Sequence, residues 1–69
     1  MAWISKGERV AAAQAEAAAE RGEDQVLRAQ ATDTLMRTRR RLESLATLNP
    51  AKYSPAVARV VAVLAERGI

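Results

Sequence analysis

Four arginines fall within five residues, at Arg37, Arg39, Arg40 and Arg41. The planar guanidinium fork is the side chain best suited to grip a phosphate or a carboxylate. On a helix Arg37, Arg40 and Arg41 share one side, while Arg39 lies on the opposite flank beside Met36 and Glu43. Asp33 precedes Arg37 by four residues in the favourable acid-first order, and Glu43 can answer Arg39 or Arg40. About half of the run's positive charge is left free by such pairing. A nucleic-acid binder neutralises several phosphates and takes single strands on aromatic platforms, yet Trp3 and Tyr53 lie in other segments. A solvated or protein-facing arginine face is therefore favoured over a nucleic-acid contact. Arg37, Arg40 and Arg41 stand as candidate partner or phosphate contacts, and Trp3 and Tyr53 as candidate aromatic anchors. For Tyr53, packing that closes a helical hairpin is preferred to an anchoring role.

Catalytic chemistry has little to work with. The chain contains neither histidine nor cysteine, which removes the usual proton shuttle and thiol nucleophile. Ser5 and Ser54 read as helix caps, and Ser44 has no recognisable base. Glu16, Glu20, Glu23 and Asp24 could be gathered into a carboxylate metal cluster. No Glu-x-x-His accompanies them, so a solvated acidic face is the stronger reading. The expectation is a non-enzyme with no cofactor and no metal.

A chain of 69 residues makes one small domain, and a single core of that size rarely supplies more than about 3–5 kcal/mol. Without cysteine or histidine there is no disulfide or zinc staple. Self-association into a dimer or small bundle, in coiled-coil fashion, is the remaining common device. Met1–Ile4 passes at once into Ser5, Lys6, Gly7 and Glu8, which does not read as a secretory signal. No apolar run reaches the length of a membrane span, and a cytoplasmic location is expected. Charge is uneven along the chain: Glu8, Glu16, Glu20, Glu23 and Asp24 dominate the first third, and the arginines dominate the middle. Antiparallel helix pairing would use such an asymmetry.

The elements that must position these groups are helical. Leu27, Ala31, Leu35, Leu42 and Leu45, with Thr38 filling the gap, draw an apolar stripe along one face of a long helix. Upstream, Ser5 and Glu8 form a capping box for a helix through Arg21. Gly7, Ala11, Ala15, Ala18 and Gly22 give that helix a side of small residues. Helix propensity accounts for the alanines slightly better than close packing does. Ala19-Glu20-Arg21-Gly22 recurs as Ala65-Glu66-Arg67-Gly68, and glycine suits a C′ position in both. Because one glycine costs a helix only about 1 kcal/mol, a continuous or kinked helix over about 6–48 is favoured over a full turn at 22–24. Asn49-Pro50 ends it, residues 49–54 form a connector, and Ser54-Pro55 opens a last helix over 55–67. Val57, Val60, Val61 and Leu64 make the main face of this last helix, with Val63 on the other flank.

The expected architecture is an all-α helical hairpin, a single domain over 1–69, in a helical oligomer. The last helix folds back on Leu35–Leu48, and the N-terminal half projects toward a second chain or a partner. Leu27, Leu35, Leu42, Leu45, Val57, Val60, Val61, Val63 and Leu64 are the candidate core and self-association residues. The expected function is non-catalytic: self-association, and adaptor or regulator of a partner protein. The alternative is a small nucleic-acid-binding accessory protein using the Arg37–Arg41 cluster.

Overall fold

The computed structural model describes residues 6–69; Trp3 and the Ser5 half of the capping box lie outside them. Four helices follow one another: α1 (Lys6–Arg21), α2 (Asp24–Arg28), α3 (Thr32–Leu48) and α4 (Pro50–Glu66). They form a compact four-helix bundle, which corrects the expected two-helix hairpin. The N-terminal half does not project: α1 and α2 fold back onto α3 and α4. The all-α class stands.

The chain turns at Gly22 because that residue takes φ 76°, a left-handed conformation glycine adopts without strain. Glu23 N–H then donates to Ala18 O at 2.8 Å, which closes a Schellman cap. Gly68 does the same at the end of α4, with φ 79° and bonds from Gly68 N–H to Ala65 O and from Ile69 N–H to Leu64 O. The repeated Ala-Glu-Arg-Gly thus encodes one cap twice. The favoured continuous helix is overturned at Gly22, where tertiary packing outweighs a small propensity term.

A second break, over residues 29–31, has no glycine or proline. Ala31 is extended, with φ −64° and ψ 149°, and caps α3 without a side-chain bond. The third joint is a single residue. Asn49 leaves helical geometry (φ −144°, ψ 79°), and its side chain accepts from Lys52 N–H at 3.3 Å. Pro50 occupies the first turn of α4, where a missing amide costs nothing. Residues 50–54 are therefore helix rather than connector, and Pro55 sits inside α4. Asn49-Pro50 supplies the cap and start that Ser54-Pro55 was expected to supply.

The core is a cluster of Ala15, Ala18 and Ala19 from α1, Leu27 from α2, Leu35 and Leu42 from α3, and Ala56, Val60, Val63 and Leu64 from α4. Val26, Leu45, Tyr53 and Val57 pack half-buried against it. Thr38 is buried among them, its hydroxyl satisfied by donating to Thr34 O at 2.8 Å. The most extensive packing is between antiparallel α3 and α4, and α1 lies across both. Of the small side of α1, Ala15 and Ala18 are buried and Ala11 is half-buried, whereas Gly7 and Gly22 are exposed; Ala19 is buried beside them. Val60 and Val63, named among the candidate core and self-association residues, are buried within this one chain.

Candidate functional site

The arginine run lies on α3, whose buried side is fixed by Leu35, Thr38 and Leu42. That registration turns Arg37 and Arg41 toward α1. Arg41 Nε donates to Glu16 Oε2 at 2.8 Å, and Arg37 Nη1 reaches Glu8 Oε2 at 3.5 Å. Residue numbers rise together through these two pairs, so α1 and α3 run in the same sense where they meet, unlike the antiparallel pairing expected. Arg39 Nε donates to Glu43 within α3 at 2.7 Å. Among the described residues Arg40 has no ion-pair partner, and Met36 and Arg37 flank it on the outer surface. The acidic first third and basic middle of the chain therefore meet inside one molecule. Exposed pairs of this kind contribute little stability each, about 0–1 kcal/mol, but they fix how α1 sits.

Two arginines absent from the candidate residues, Arg59 within α4 and Arg67 at its C-cap, have more demanding partners. Arg59 Nη1 donates to Ala19 O at 2.7 Å, serving a carbonyl left over at the C-terminal end of α1. Its guanidinium lies over Gly22, 3.4 Å from where a Cβ would stand. Arg67 donates to Arg28 O and Gln30 O at 2.8 Å each and to Thr32 Oγ1 at 2.9 Å. It thereby bridges the break between α2 and α3. Arg28 in turn makes a two-pronged pair with Glu66, at 3.0 and 3.1 Å. The hydrogen bond from Arg28 draws the Glu66 carboxyl below its ordinary pKa, and the same bond raises that of Arg28. These contacts join residues 35–40 apart in sequence, so periodicity could not reveal them. The Arg-Gly ending of α4 was the available signal.

The candidate apolar residues separate cleanly. Leu27, Leu35, Leu42, Val60, Val63 and Leu64 are buried, Leu45 and Val57 are half-buried, and Val61 is 40% exposed. Val61 and Val63 have exchanged the places expected of them, because α4 turns Ala56, Val60 and Val63 toward its neighbours. Tyr53 packs half-buried near the α3–α4 joint, with Lys52 Nζ 5.1 Å from its ring centre. Leu48 beside that joint is 83% exposed.

Of the acidic residues, Glu16 is engaged by Arg41 and Glu23 by Arg21 at 3.8 Å. Among the described residues no group of carboxylates is arranged to hold a metal. No helix among them is long and apolar enough to cross a membrane. What the described residues build is a buried apolar cluster flanked by arginines. Leu35, Leu42, Val60 and Val63 lie in one buried cluster with the α1 alanines, and Arg37, Arg41 and Arg59 bond to α1 beside it. In comparisons with protein-family models, curated proteins and solved structures, the chain matches none.

Proposed function

We propose that this protein is a non-catalytic interaction module that self-associates and acts as an adaptor or regulator of a partner protein, with a cytoplasmic location as part of the reading. One observation carries it. Among the described residues, every buried position of α1 is an alanine, namely Ala15, Ala18 and Ala19, whereas α3 and α4 meet through leucine and valine. Hydrophobic stabilisation scales with apolar area, and an alanine brings a single methyl. Per buried residue α1 thus brings less apolar side-chain area to the core than α3 does, and its ion pairs to α3 weaken with salt. On this reading a partner helix competes with α1 for its place on the core.

Sedimentation equilibrium of the full chain at micromolar concentration tests the proposal. At least a dimer is expected. A cooperatively melting monomer throughout that range overturns self-association. The nucleic-acid alternative is weakened because Arg37, Arg39 and Arg41 each meet a carboxylate. Duplex DNA bound more tightly than about 10 μM near physiological salt, stronger than ordinary non-specific binding, would move the function to the arginine face.

A further inference from the structure

A helix with apolar residues on every side is ordinarily buried on every side. Helix α4 is covered on one side only. Its buried positions Ala56, Val60, Val63 and Leu64 meet the other helices. Its exposed positions between Lys52 and Glu66 are Ser54, Pro55, Ala58, Val61, Ala62 and Ala65. This side carries no charge, because Arg59, the one charged residue between those two, is turned inward to bond Ala19 O. The exposed side of α3, by contrast, carries Asp33, Arg37, Arg40 and Glu43. Within the uncharged side, Ser54, Ala58, Val61 and Ala65 recur at spacings of four, three and four, the register of a coiled-coil seam. Helix α4 therefore has two seams, and the chain fills one. Beyond the two ends of the open seam stand Leu48, 83% exposed, and Ile69, 58% exposed, the most exposed large apolar side chains among the described residues.

We propose that the open seam of α4 is covered by α4 of a second copy, running antiparallel about a two-fold axis. This deepens the self-association half of the proposed function and rests on it. The seam is its own complement. With the axis between Ala58 and Val61, Val61 of each copy lies on Ala58 of the other, and Ala65 on Ser54. A larger side chain thus meets a small one, and the alanines and serine let the two helices approach closely. Charge sets the direction. Lys52 lies over the Tyr53 ring and forms no ion pair among the described residues, and Glu66 stands at the opposite end of the seam. The Glu66 carboxylate is half exposed and keeps lone pairs free beside Arg28. Antiparallel packing brings Lys52 of each copy to Glu66 of the other, whereas parallel packing sets like charges side by side. The same arrangement carries Leu48 of each copy toward Ile69 of the other. Every contact within the chain is retained, and α1 stays on its own core.

Sedimentation equilibrium of the full chain reads the effect. Val61→Glu places two carboxylates beside the axis without partners, and the association constant should fall about a hundredfold or more. Val61 is 40% exposed in the single chain, so this variant should keep its helicity by circular dichroism. Met36→Glu, at a similarly exposed apolar residue of α3, should leave association unchanged. Direction is read separately. The chain has no cysteine, so Ser54→Cys and Ala65→Cys chains are mixed and mildly oxidised. The antiparallel seam joins one chain of each kind by a disulfide, while cysteines of like chains lie about 16 Å apart and stay unjoined.

A dimer that persists in the folded Val61→Glu chain, one lost equally in Met36→Glu, or like chains joining as readily as unlike ones overturns the α4 interface and leaves self-association to another surface. A wild type that stays monomeric throughout the micromolar range overturns both.

Discussion

Arg59 of α4 and Arg67 at its C-cap reach across the bundle to backbone carbonyls, whereas Arg37, Arg39 and Arg41 of α3 meet carboxylates. The residue type is the same, and its surroundings decide what it does. A carbonyl at a helix end has no intrahelical donor, so the arginine that supplies one completes the backbone's own hydrogen bonding. Glu8 and Glu43 are half exposed and Glu16 less so, and pairing an exposed carboxylate trades water for a guanidinium at little net gain. The dense run attracts notice in the sequence, while the two isolated arginines hold the turns together.

The scale for this contrast is set by the core. Leu42→Ala should cost about 2–5 kcal/mol, because the side chain is fully buried and truncation leaves a cavity. Leu45→Ala should cost distinctly less, since Leu45 is only half-buried. Thermal or urea melts followed by circular dichroism separate the two, and equal losses would contradict the packing described. Next comes the contrast itself. Arg67→Met should cost about 1–3 kcal/mol, as charged hydrogen bonds to two carbonyls and a hydroxyl vanish together. Arg41→Met should stay within about 1 kcal/mol, the usual worth of an exposed ion pair. If the Arg41 variant proves the weaker protein, the ranking of the two groups is reversed.

The smallest expected effect is in acid. Arg28 holds the Glu66 carboxyl below its ordinary pKa, so the folded state binds that proton less readily than the unfolded chain. The pair's contribution is present above the ordinary carboxylate range and is lost as pH falls through the lowered value. Melting temperatures of Glu66→Gln and wild type should therefore converge in acid. A gap that widens instead would show that the pair does not act in this way.

Helical class was legible from the apolar stripe, and Leu27, Leu35 and Leu42 all lie in the core. The number of helices was not. At Gly22 the repeated Ala-Glu-Arg-Gly was the informative signal, and a small helix-propensity argument was set above it. The break over 29–31 carried no local mark, because Arg67 bridges it from far along the chain. Asn49 and Ser54 each precede a proline, and the sequence alone does not rank the two as starts. The core was half visible: Leu35, Leu42, Val60 and Val63 stood out, while Ala15 and Ala18 were credited to helix propensity and are buried with them.

Tyr53 is the chain's one tyrosine, beside a single tryptophan and no phenylalanine. It packs against the core near the α3–α4 joint, in the first turns of α4, whereas the α1 end is served by Arg59 further along. Its near-ultraviolet circular dichroism, read in a Trp3→Phe background because tryptophan absorbs in the same range, is therefore an optical probe of the hairpin end. Far-ultraviolet ellipticity, by contrast, sums over all four helices. An event that displaces α1 and spares the hairpin would leave the tyrosine band in place, and global unfolding would abolish both signals together. With no label added, the protein can distinguish rearrangement from denaturation in a single cuvette.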